Sequence, residues 1–139
     1  MELKKQPQRM HHVTSHITNG LIPTASVFIT LFLMTGNVRF EHAAMCCCAI
    51  GAIGTPLVYG TGFLDWRIRF KKRRGKVFKR KIIIGAVLVV LSLLMVAFRL
   101  NVGQEIATAG PMRFIFAGTV YILTGIVTYL GYLGGKFIV

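Results

Sequence analysis

"IIIGAVLVVLSLLMVAF", residues 82–98, settles the fold class. The run contains no Asp, Glu, Lys, Arg or His, and only Gly85 and Ser92 interrupt its large apolar side chains. At about 1.5 Å of rise per helical residue, it covers most of a hydrocarbon layer roughly 30 Å thick. A helix that is apolar all round is not an amphipathic surface helix. Three more blocks of the same kind lie on either side of it: Ile17–Met34, Ala43–Leu64 and Phe114–Leu133. The four blocks take up more than half of the 139 residues. A soluble domain of this size has nowhere to bury them, and the alternating ten-residue segments of a β-barrel are missing. The expectation is an all-α polytopic membrane protein, a four-transmembrane-helix bundle forming a single domain over residues 1–139. The helices are expected at about 15–35, 42–65, 80–99 and 112–136, with a basic connector over 66–81. Lys4, Lys5 and Arg9 precede the first block as in a signal peptide. The block is long and has no small-x-small cleavage site behind it, so it reads as an uncleaved helix.

The net charge of +13 follows the membrane pattern. Ten of the seventeen Lys and Arg lie in "RIRFKKRRGKVFKRK", Arg67–Lys81, and three more precede helix 1. The connector between helices 1 and 2 has only Arg39, and the one between helices 3 and 4 has Arg99 and Arg113 at its ends. By the positive-inside rule both termini and the basic connector are cytoplasmic. Arg67, Arg69, Lys71, Lys72, Arg73 and Arg74 are then placed to meet anionic lipid headgroups or an acidic partner subunit. No motif for reading bases accompanies the charge, so nucleic acid is not an expected partner.

This topology gathers polar side chains in one layer. His11, His12 and His16 in "MHHVTSH" stand at the cytoplasmic rim, with Asp65 of "TGFLDW", Lys81, Tyr132 and Lys136. His16, Asn19, Pro23, Ser26 and Thr30 share one helical face by steps of three and four. In hydrocarbon that face must look into the bundle or at a partner. His12 and His16, four apart, lie on one side of a helix and cannot sandwich a haem, which needs axial ligands on opposite faces. His16 is the candidate axial ligand for a haem completed by Lys81, Met10 or another chain. His11, His12, His16, Asn19, Asp65 and Lys81 are the candidate residues for a haem b or quinone site. Asp65 at the end of helix 2 opposes the helix dipole and calls for a cationic or hydrogen-bonding partner. Glu41 and His42, at the other end, read as a solvated helix start.

Cys46, Cys47 and Cys48 point about 100° apart and cannot share a metal. They read as small apolar residues. Ala44, Cys48 and Ala52, with Gly51 and Thr55, form a small-residue line on helix 2, and Gly131 and Gly135 make a G-x-x-x-G step on helix 4. Helix 3 is expected to face lipid over much of its surface. Gly110-Pro111 breaks the chain before helix 4.

The histidine pair His11 and His16 entering helix 1, "TGFLDW" closing helix 2 and "GYLGGK" closing helix 4 together resemble a bacterial family of predicted four-helix membrane proteins, domain of unknown function 2231. The resemblance runs over nearly the whole chain. It implies a four-helix membrane fold and a cofactor or redox role, without a known reaction. Lys81 stands near the place where the family tends to carry a histidine.

These readings point to a small integral subunit of a membrane electron-transfer complex in the bacterial cytoplasmic membrane. It would anchor partner subunits and help form a haem or quinone site near the cytoplasmic face. The alternative is a cofactor-free structural or assembly subunit that docks lipid or a peripheral protein through its basic loop. A transporter would place polar groups at the midplane on repeated, broken helices, a pattern this chain lacks. A stand-alone enzyme is not expected, because there is no catalytic triad, metal signature or phosphate loop.

Overall fold

The computed structural model describes residues 6–68, 75–103 and 110–135, apart from the side chains of 6–10 and 12. They form four helices: α1 (Gln6–Thr35), α2 (Val38–Ile68), α3 (Lys76–Val102) and α4 (Pro111–Gly135). All four contain a stretch long and apolar enough to cross a membrane. The helices run past the apolar blocks because polar flanks at the water line can continue a helix that the apolar segment has nucleated.

Two residues join α1 to α2. Gly36 ends α1 at a φ of 68°, in the region that favours glycine. Its N–H donates to the Phe32 carbonyl at 2.8 Å. Asn37 then caps α2, its side-chain oxygen accepting from the Arg39 N–H at 3.0 Å. So short a turn forces α1 and α2 to lie antiparallel, and theirs is the most extensive packing in the bundle. Each later helix packs on its predecessor, and α4 closes back on α1.

Small residues on α2 let α1 approach closely. A Cβ on Gly51 would stand 3.0 Å from Ile22 Cγ1, and one on Gly54 only 2.5 Å from Thr18 Oγ1. The core follows one line on each helix: Ile22, Ala25, Ile29 and Phe32 on α1, Ala44 and Cys48 on α2, Leu88 and Met95 on α3, and Phe116, Val120, Leu123 and Val127 on α4. The small-residue line of α2 is buried as read from its spacing. Gly131 and Gly135 of α4 have no atom near their missing Cβ, so their G-x-x-x-G step makes no close contact within the described part of this chain. The apolar span of α3 buries the smallest share of its residues, 17% against 28% for each of the others. Its exposure fits its uniform sequence.

The structure differs from the sequence reading at Glu41. That side chain is fully buried, not solvated. It faces the interior with Ala44 and Cys48 and pairs with Arg99 of α3. His42, next to it, is exposed as expected.

Candidate functional site

The two stretches "MHHVTSH" and "TGFLDW" meet in space. The His11 ring lies over Gly62, where a Cβ would stand 3.0 Å from His11 Cε1. Its Nδ1 is 3.3 Å from Thr61 Oγ1. The Thr61 hydroxyl also lies within hydrogen-bonding distance of backbone carbonyls of its own helix, Leu57 at 2.8 Å and Val58 at 3.1 Å. With its hydrogen given to its own helix, Thr61 Oγ1 can accept from a His11 ring protonated on Nδ1. The glycine makes room for the ring, and the threonine orients it.

On the other side of the same end, Asp65 is the carboxylate whose field reaches the Lys81 ammonium. Lys81 Nζ lies against α4, 3.5 Å from where a Cβ on Gly134 would be. Phe63 and Trp66 pack with ring centroids 5.5 Å apart at the end of α2. This end thus collects His11 from α1, Thr61, Gly62 and Asp65 from α2, Lys81 from α3 and Gly134 from α4. Arg67 is exposed beside it. The His12 side chain and Arg69, Lys71, Lys72, Arg73, Arg74 and Lys136 lie outside the described residues.

His16 and Asn19 do not join this cluster. The buried face of α1 is Thr18, Ile22, Ala25, Ile29 and Phe32. The polar line is turned away from it, with His16, Asn19 and Thr30 exposed and Pro23 and Ser26 half-buried. Of the two options open to that face, the structure shows the outward one. Part of the line borders α4: Thr30 Oγ1 and the Tyr121 hydroxyl are 2.6 Å apart. Deeper in the same seam, Thr124 Oγ1 approaches the Ile22 carbonyl at 3.3 Å.

Two prolines inside helices leave carbonyls without their usual donor, and the chain treats them differently. Pro56 lacks the N–H that would reach the Ala52 carbonyl. Thr55 Oγ1 donates to that carbonyl at 3.0 Å and pairs with Ser92 Oγ of α3 at 2.9 Å. Pro23 frees the Asn19 carbonyl in the same way. There the neighbouring hydroxyls go elsewhere, Thr24 to the Gly20 carbonyl at 2.7 Å and Ser26 to the Pro23 carbonyl at 2.6 Å. Among the described residues the side chains of His16 and Asn19 have no hydrogen-bond partner. The outside of α1 therefore presents an imidazole, an amide and a freed carbonyl within one turn and a half.

The opposite end holds the Glu41–Arg99 pair. Arg99 Nε and Nη2 donate to the two carboxylate oxygens of Glu41 at 2.5 and 2.9 Å, and Nη1 donates to the Gly103 carbonyl at 2.5 Å. Sequence reading missed this bridge. The signal was there: Glu41 continues the Ala44, Cys48, Ala52, Thr55 face by a step of three. Arg99, near the end of the antiparallel α3, falls in the same layer.

The rim residues can orient one imidazole and set the Lys81 ammonium within the field of the Asp65 carboxylate. The α1 face can hydrogen-bond a group that arrives from the membrane side. The His11 ring packs against α2 and His16 faces out, so the two do not face each other as a pair of haem ligands. The His16 imidazole is open on the outside of α1. Among the described residues, no three His, Cys, Asp or Glu are grouped to hold a metal ion.

The family described as "Predicted membrane protein (DUF2231)" matches residues 8–139. Comparison with curated proteins finds no match, and neither does comparison with solved structures. With its four apolar helices and a match over almost its full length, the chain belongs to the family of predicted membrane proteins, domain of unknown function 2231.

Proposed function

We propose that this chain is a small, non-catalytic integral subunit of a membrane electron-transfer complex in the bacterial cytoplasmic membrane, with both termini and the basic connector inside. It joins a neighbouring chain across the outward face of α1. At that junction, near the cytoplasmic face, it brings His16 and Asn19 to a haem b or quinone site. One observation carries this reading: His16 and Asn19 stand exposed and unpaired at the start of an apolar span. Polar groups left in hydrocarbon without partners are costly, so the arrangement makes sense with a ligand or protein against it. The second axial ligand of a six-coordinate haem would come from the neighbour, whereas a quinone would need only a hydrogen bond. Anionic lipid screens the basic residues around Arg67.

Purification of the tagged chain from native membranes in mild detergent tests this. The expected result is co-purification of redox subunits, with haem or extractable quinone in stoichiometric amount. A chain that comes out alone, without either, counts against it.

The second reading is a cofactor-free structural or assembly subunit. The Glu41–Arg99 bridge favours it, because its buried charges tie α2 to α3 and are turned away from any surface ligand. Intact activity of the complex after His16→Ala would support this alternative.

A further inference from the structure

Among the described residues, no acid pairs with Arg113. It stands in the first turn of α4 and continues the buried line of Phe116, Ala117 and Val120 by a step of three. Its Nε is buried and has no hydrogen-bond partner. The guanidinium carbon lies 4.7 Å from the centroid of the Phe114 ring, which is 58% exposed. The ring attracts the cation but does not neutralise it. The acids among the described residues are Glu41 and Asp65, and Glu105 lies outside them. Glu41, at the same end of the bundle, has both oxygens bound by Arg99. Asp65 stands at the far end of α2.

We propose that Arg113 binds the phosphate of a membrane phospholipid, in the leaflet opposite the basic connector. Charge and depth together select this occupant. The α4 span is 25 residues long, about 37 Å, against a hydrocarbon layer of roughly 30 Å. Its first turn therefore reaches the level of the headgroup phosphates. There a guanidinium can give two parallel N–H groups to one phosphate, which a lone ammonium cannot. The positive end of the α4 dipole adds to the same attraction. The exposed Phe114 ring, in contact with the guanidinium, offers an apolar surface to the start of an acyl chain. A soluble anion has no use for that ring. His16 and Asn19 lie towards the other boundary and take no part in this site.

The test uses the full-length protein in vesicles of phosphatidylglycerol and phosphatidylcholine. Solid-state NMR reads the dipolar coupling between arginine guanidinium carbons and lipid phosphorus. Met112–Arg113 is the only Met–Arg step in the sequence and Val38–Arg39 the only Val–Arg step, so labelled carbonyls of Met or Val pick out each arginine in the wild type. Arg39 is the control, an exposed arginine at the same end of the bundle. The expected result is a coupling to phosphorus at Arg113 clearly greater than at Arg39. The same protein in maltoside micelles with inorganic phosphate should lose it. Arg113→Gln should remove the coupled signal while circular dichroism shows intact helices, and the wild-type comparison stands even if that variant fails to fold. No coupling at Arg113 in the vesicles, or one no greater than at Arg39, overturns the proposal. An equal coupling to inorganic phosphate in micelles overturns it too, because the site then takes a free anion rather than a lipid.

Discussion

Glu41 of α2 and Arg99 of α3 form a two-point ion pair inside the bundle, with Arg99 Nε 2.5 Å from Glu41 Oε1 and Nη2 2.9 Å from Oε2. The carboxylate is fully buried and the arginine nearly so. Removal of one partner strands a charge in a medium that cannot solvate it. Glu41→Ala or Arg99→Ala should therefore cost about 3–5 kcal/mol. The double variant Glu41→Leu with Arg99→Met should recover much of that loss, because no lone charge remains. Unfolding of each variant in mixed micelles, followed by circular dichroism, measures the difference. Single variants as stable as the wild type would contradict the bridge.

The closeness of α1 and α2 depends on glycine at two points. A Cβ on Gly54 would stand 2.5 Å from Thr18 Oγ1, against a packed helix. Gly54→Ala should push the helices apart and cost about 1–3 kcal/mol, the usual range for overpacking. Gly131→Ala adds a methyl where no atom of the described residues stands within 4 Å and should change stability by less than about 0.5 kcal/mol. The same unfolding measurement compares the two, and equal effects would argue against the described packing.

The His11 ring should carry its proton on Nδ1, where Thr61 Oγ1 can accept it with its own hydrogen given to its own helix. Nitrogen-15 chemical shifts of the labelled ring distinguish the two neutral tautomers. Thr61→Val removes the acceptor and should weaken the preference for Nδ1, and Gly62→Ala should disturb the ring through a Cβ 3.0 Å from its Cε1. A wild-type ring protonated on Nε2 alone would refute the donor assignment.

Thr55 closes the gap that Pro56 opens in α2, and its hydroxyl pairs with Ser92 of α3. Thr55→Val and Ser92→Ala should each cost about 1 kcal/mol, with a coupling near 0.6 kcal/mol in a double-mutant cycle, as for other interhelical hydrogen bonds in membranes. Strict additivity of the two losses would mean that the hydroxyls do not act together.

The four helices were legible because an apolar run of membrane length has few other uses. The direction each helix faces was harder to read. Periodicity picked out His16, Asn19, Pro23, Ser26 and Thr30 as one face of α1, but left open whether that face looked into the bundle. In a membrane both faces of a helix are apolar enough to meet lipid, so hydrophobicity does not point to the core. Shape does: Gly51 and Gly54 admit Ile22 and Thr18, and so turn the polar line outward. Glu41 was misread because an acidic residue at a helix start is usually solvated and suits the dipole. Its place on the Ala44–Cys48 face carried the information. Of the rim residues, His11 and Lys81 proved to lie against glycines of neighbouring helices, a relation that appears only once the helices are side by side.

The most direct test of the electron-transfer reading is a reduced-minus-oxidised optical spectrum of the native complex, compared with one from cells carrying His16→Ala. The account predicts a haem or quinone signal that is lost or shifted in the variant while the subunits stay assembled. An assembled complex whose spectrum is the same with and without His16 would contradict it.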